Sequence, residues 1–263
     1  MVTPPVIRHH EEVMGTIVTM DVFAQVDADV VGIHRRIELA CKVLHLADEV
    51  FSTWKPESPM SRLRRGAISC HEVPREVTEV LEGCDQARRL SRGWFDPWSM
   101  PGGVDPTGYV KGWAAQRALG LLLGPGAHGA IVNAAGDIAS FGAQADGNAF
   151  RIGIVDPLQP ARLACVVNLS ANIATSGTCE RGAHLIDPHS GSPTARVASA
   201  SVCGPDLGLA DALATALGVA GEEGLSFVEV VDDYEALTIA FDGTKKWTSG
   251  FPFAPSKTSS EAG

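Results

Sequence analysis

Asp211 is the single charge in the run Leu209-Ala-Asp211-Ala-Leu-Ala-Thr215-Ala-Leu217, whose alanines and leucines belong in a protein interior. A carboxylate carried into an interior needs a partner. At helical pitch, residues i and i+4 share a face, so Asp211 and Thr215 can direct two oxygens at one point. Two oxygens suit Mg²⁺, a hard cation that takes one or two protein carboxylates and completes its octahedron with phosphate oxygens and water. The same spacing also allows Asp211 to accept hydrogen bonds from main-chain amides while Thr215 bonds back along its own helix.

A second constellation is Trp94-Phe95-Asp96-Pro97, followed by Asp105-Pro-Thr-Gly108-Tyr-Val-Lys111-Gly112. Glycine at a helix entry lets main-chain groups approach a ligand closely, and Lys111 adds a cation in the first turn, so a diphosphate is one possible guest. Neither GxxxxGK[ST] nor a GxGxxG after a strand is present. The alternative is structural, with Trp94, Phe95 and Trp98 as core aromatics and Asp105 as a helix cap. A third stretch runs Ala174-Thr175-Ser176-Gly177 and then His184-Leu-Ile-Asp187-Pro188-His189-Ser-Gly191. A neutral imidazole at His184 can take a proton from an attacking hydroxyl. Asp187-Pro188 with Ser190-Gly191 reads as a turn, and Thr-Ser-Gly is not the GxSxG elbow of a serine nucleophile.

Elements able to position these groups follow from periodicity. Val18, Met20, Val22 and Ala24 alternate within a strand over residues 13 to 25, and Asp29 to Phe51 carries an apolar stripe at helical spacing. A second amphipathic helix follows Pro74 and stops at Gly93, with a loop between the two. Helices are expected from Val110 to Leu123 and from Leu207 to Ala220. Strands are expected at Ala130 to Asn133, Phe150 to Val155, Ala164 to Leu169, Ala198 to Cys203 and Phe227 to Val231. This irregular interspersion is the mark of an α+β chain.

The chain has 263 residues, a length that one such unit can reach, and residues 1 to 254 are read as a single domain with residues 255 to 263 as a disordered tail. A net charge of −10 argues against a nucleic-acid partner, which calls for a basic face. No apolar stretch approaches the ~20 residues of a transmembrane segment, and the start lacks the apolar core of a secretory signal, so the cytoplasm is the expected compartment. Six cysteines without a CxxC pair signal neither a zinc site nor a redox dithiol, and buried free thiols are expected.

In order and spacing, these motifs resemble the ApbE family of FAD:protein FMN transferases from Met14 to about Gly224. The resemblance rests on Met14-Gly15-Thr16, Ser52-Thr53-Trp54 with Ser61-Arg62-Leu63, Gly93-Trp-Phe-Asp96-Pro97 and Lys111-Gly112-Trp-Ala-Ala. Asn133-Ala-Ala-Gly136-Asp137-Ile138, Ala174-Thr-Ser-Gly177, His184-Leu-Ile-Asp-Pro188 and Ala210-Asp-Ala-Leu-Ala-Thr215 complete it. It implies an ApbE-like, T-fold-related α+β architecture with the ligand cleft between two halves. It also implies that Asp211, Thr215 and the carbonyl of Gly108 hold Mg²⁺ and that Asp105 and Lys111 line an FAD site. Met14, Trp54 and the Trp94-Phe95-Asp96 loop would hold the flavin and adenine ends, and His184 is the candidate base beside the FAD. Trp54 replaces a family Tyr, and the segment between Gly177 and His184 is short, with Cys179 where an aromatic is common.

The implied activity is Mg²⁺-dependent transfer of the FMN moiety of FAD to a Ser or Thr hydroxyl of an acceptor flavoprotein, with release of AMP. Two alternatives use the same site: hydrolysis of FAD to FMN and AMP, and non-catalytic FAD binding.

Overall fold

The computed structural model describes residues 5–144, 146–169, 172–177 and 185–255. Its strands in chain order are β1 (Val6–Val13), β2 (Thr16–Ala24), β3 (Ala127–Ala134), β4 (Asp137–Gly142) and β5 (Phe150–Val155). They continue with β6 (Leu163–Leu169), β7 (Asn172–Gly177), β8 (Ser199–Gly204), β9 (Glu235–Ile239) and β10 (Lys245–Trp247). Eight form one sheet in the order β1-β2-β3-β4-β7-β8-β9-β10, and β5 pairs with β6 in a separate ribbon. The α+β expectation holds.

The alternation read on β2 is real: Val18, Met20, Val22 and Ala24 are fully buried on one face. The strand expected over 13 to 25 is, however, the second arm of a hairpin. Its partner β1 carries His9-His10-Glu11-Glu12, and those polar residues conceal a strand that pairs in register from Val6↔Phe23 to Val13↔Thr16.

One face of the sheet, small and apolar at Ala130, Ala139, Ala174 and Ala200, packs under the helices. The other face joins Ile138, Ile173, Leu237 and Ile239 to Phe150 and Val167 of the β5–β6 ribbon. Strand β8 is buried at every residue because both of its faces are covered.

The helices are α1 (Val30–Phe51), α2 (Pro59–Arg64), α3 (Arg75–Leu90), α4 (Thr107–Leu122), α5 (Leu207–Ala220) and the short α6 (Leu225–Val228). Asp29 caps α1 by accepting from Gly32 N–H at 3.0 Å. The stretch between α1 and α3 expected to be loop contains α2, capped by Ser58 and opened by Pro59. The strand expected at Phe227 to Val231 is instead α6 and its exit turn, a short apolar run of the kind that periodicity alone cannot assign. Helix α5, apolar all round, is buried at every residue except Thr215. Among the described cysteines, Cys84 and Cys203 are buried, Cys41 and Cys165 are half-buried and Cys70 is exposed, so the expectation of buried thiols holds for two of five. Cys179 and most of the expected tail, residues 256 to 263, lie outside the described residues.

Helix α3 ends in a paired-bond cap: Gly93 N–H donates to Arg88 O at 2.9 Å and Arg92 N–H to Arg89 O at 3.2 Å. That cap puts exposed Arg92 at φ 55°, a left-handed conformation that costs an L-residue ~1–2 kcal/mol. Arg92→Gly should therefore stabilise the protein by ~0.5–1 kcal/mol, after allowing for the freedom glycine adds to the unfolded chain. Urea denaturation with an unchanged slope and a raised midpoint would register it.

Candidate active site

The sheet is two four-stranded halves that meet at one backbone pair, Ile138↔Ile173. Side chains close the seam. Asp137 Oδ1 accepts from Thr175 N–H at 3.2 Å, and Asn172 Oδ1 accepts from Ser140 N–H at 3.2 Å. Where the strands diverge, a cavity of about 260 Å³ opens between the Ala135 turn, Thr175–Gly177 of β7, the Trp94–Pro101 loop, the start of α4 and the middle of α5. A neighbouring cavity of about 420 Å³ shares Thr175 and Gly177 and extends along the ribbon side at Ile152–Pro157. The expected cleft between two halves is this seam.

Trp94, Phe95, Asp96, Asp105, Gly108, Lys111, Asp211 and Thr215 all line the first cavity. Asp211 reaches it because α4 and α5 pack almost in contact. A Cβ on Gly112 would meet Leu207 O at 2.3 Å, and one on Gly108 would lie 3.2 Å from Thr215 Oγ1. Asp211, 6% exposed, accepts from Gly112 N–H at 3.2 Å through Oδ2. The main-chain bond expected of a buried Asp is therefore present, and the same side chain is part of a cavity wall. Gly112→Ala should lose ~1–3 kcal/mol of stability, because the obstacle is backbone that cannot swing aside. Thermal melting checks this.

Several acids around the cavity are held by cationic side chains. Arg64 holds Asp105 at 2.7 Å, and the same carboxylate accepts from Thr107 N–H and Oγ1 just before α4, whose N-cap is Pro106. Arg88 lies 3.2 Å from Asp96, which also accepts from Trp98 N–H at 3.0 Å. Lys111 is ion-paired with the fully buried Asp137, so its charge is largely offset inside the protein. Trp94 is gripped by His189, at 4.6 Å between ring centroids, and by the Arg196 guanidinium 4.9 Å from its ring. His189 also donates its N–H to Asp187 at 2.9 Å. Although burial raises the Asp187 pKa, the hydrogen bonds from His189 outweigh it and hold the carboxyl below its ordinary range.

Met14 and Trp54 are not in the cavity wall. Met14 sits at φ 54° in the β1–β2 turn, at the same end of the sheet as the Ala135 turn. Trp54 is 92% exposed on a loop whose Ser52 carbonyl accepts from Ser58 and Ser61. That loop leads into α2, where Arg64 donates to Pro101 O and Gly102 O at the cavity's edge. His184 lies outside the described residues; Leu185 and Ile186, which follow it, line the cavity. Arg64 was not singled out by sequence, since it is one of three arginines in Arg62-Leu63-Arg64-Arg65 and nothing in the spacing distinguishes it from its neighbours. Thr175 and Ser176 lay in a recognised motif without an assigned role.

The ApbE family model matches residues 14–102 and 99–238, so this chain is a member of the ApbE family. It is 34% identical over 129 residues to an FAD:protein FMN transferase of Rhodobacter capsulatus, covering 46% of this chain and 24% of that protein. It is 32% identical over 159 residues to an FAD:protein FMN transferase of Vibrio cholerae, covering 56% of this chain and 48% of that one. The matches thus span about a quarter and about half of these relatives. The apo crystal structure of the Pseudomonas stutzeri flavinyl transferase ApbE superposes with a TM-score of 0.80 at 23% identity, over 95% of this chain and 96% of that one. Among the described residues, no helix is long and apolar enough to cross a membrane.

Proposed function

We propose that this chain transfers the FMN moiety of FAD to a Ser or Thr hydroxyl of an acceptor flavoprotein, releasing AMP. The observation carrying the proposal is the meeting of Gly108, Asp211 and Thr215 with the Trp94–Phe95 loop in one cavity at the seam. The names of the curated relatives support it. Two adjoining cavities suit a dinucleotide better than a single small guest, and together they fall within the ~300–1,000 Å³ typical of ligand sites.

The donors at Gly108, Asp211 and Thr215 are a carbonyl, a carboxylate and a hydroxyl, an all-oxygen set that fits a hard divalent ion. Mg²⁺ held there would neutralise charge on the diphosphate and on the departing AMP. The protein's own part is positioning. Trp94, fixed by His189 and Arg196, offers a ring edge and Phe95 an apolar floor, while the Arg64–Asp105 pair holds the loop against α4. The acceptor oxygen attacks the FMN-side phosphorus in line, its bond to the AMP phosphate breaks, and the hydroxyl proton passes to a base. His184, adjacent in sequence to Leu185, is the proposed base.

Incubation of the protein with FAD, Mg²⁺ and an acceptor domain should add the mass of FMN, less water, to one acceptor hydroxyl, and EDTA should abolish the addition. Release of free FMN at the same rate without acceptor would replace transfer by hydrolysis. Recovery of intact FAD under all conditions would leave only a binding protein.

A further inference from the structure

The inward face of the edge strand β1 turns polar where it meets α1. His9 and Glu11, two residues apart and so on one face, lie against Cys41 and His45, one helical turn apart on α1. His9 Nε2 is 2.9 Å from Glu11 Oε2 and 3.3 Å from Cys41 Sγ, and His45 Nε2 is 2.7 Å from Glu11 Oε1. One ligand atom from each of His9, Glu11 and Cys41 lies within 4.8 Å of the other two. None of these residues belongs to the seam cavity.

We propose that His9, Glu11 and Cys41 form a second metal site, for a borderline-soft divalent transition ion such as Zn²⁺, with His45 orienting the Glu11 carboxylate. The donor types decide the ion: imidazole nitrogen and thiolate sulfur select against Mg²⁺ and for zinc, which takes N, S and O ligands in a tetrahedron. The fourth position falls to water, since His9 and Glu11 are only partly buried. His45 holds the far oxygen of Glu11, the outer-shell hydrogen bond that ligating carboxylates commonly have. On binding, the Cys41 proton leaves to solvent and His9 donates its Nε2 lone pair with its proton on Nδ1. Such an ion would staple the edge strand to α1 and join segments ~30 residues apart in sequence. The absence of a CxxC pair conceals the site, because its ligands come from a strand and a helix.

Titration of the metal-free full-length protein with Co²⁺ tests this, because a thiolate ligand adds a sulfur-to-cobalt charge-transfer band that water and carboxylates do not give. One equivalent should produce the band, and Zn²⁺ should bleach it. Cys41→Ser should abolish the band, His9→Ala should weaken binding at least tenfold, and His45→Ala should weaken it ~10–100-fold. Circular dichroism of each variant separates loss of ligand from loss of fold. Absence of the band from the folded parent, or a band unchanged in Cys41→Ser, would overturn the site. Asp211→Asn should leave the band intact, so the outcome is independent of the flavin-transfer reading.

Discussion

Asp211→Asn is expected to yield a folded protein that has lost flavin transfer by at least ~10²–10³-fold, the scale of deleting one electrostatic contact that matters in the transition state. The amide keeps an oxygen for Gly112 N–H and the volume of the carboxylate, so the α4–α5 packing has no reason to change. What disappears is the charge that, on the proposed reading, would face the ligand's diphosphate. Asp211→Ala should lose the same activity and, in addition, ~1–3 kcal/mol of stability, because the buried charge-assisted hydrogen bond from Gly112 N–H is removed. The pair of variants thus separates the structural hydrogen bond from the proposed catalytic charge. Acceptor mass, Mg²⁺-dependent FAD affinity and urea midpoints measure them. Transfer surviving in Asp211→Asn would make the buried hydrogen bond the whole purpose of the residue.

Sequence carried most information where one physical demand dominates. Helix α5 was legible end to end, because an all-apolar run with one Asp has no stable place except the interior. The face of β2 and the stripe of α1 were legible through period alone. Strands β4, β7, β9 and β10 were not read: they have three to six residues each, and β4 opens on the charged Asp137. The Trp94-to-Thr215 residues were named individually from motifs, and the fold brings eight of them to one cavity. Their electrostatics were illegible, since Arg64–Asp105 and Lys111–Asp137 join residues 41 and 26 positions apart that no spacing rule connects. The one-pair seam at Ile138↔Ile173 is likewise a property of the assembled sheet.

Lys111 shows what that hidden pairing implies for stability. Asp137 is fully buried and spans the seam, accepting from Thr175 N–H on one half while Lys111 reaches it from α4. Lys111→Ala should cost ~3–5 kcal/mol, because an ionised carboxylate is left in the interior without its cation. Against a total stability of ~5–15 kcal/mol, that loss is enough to lower the melting temperature sharply. Lys111→Met with Asp137→Asn should recover most of it: the thioether chain fills the lysine stem's space, and the Asn oxygen still accepts from Thr175. Since Thr175–Gly177 form one wall of the cavity, the double variant should also keep near-normal FAD binding if Lys111 acts only through Asp137. Full stability combined with a large loss of FAD affinity would instead show that the Lys111 charge reaches the ligand directly.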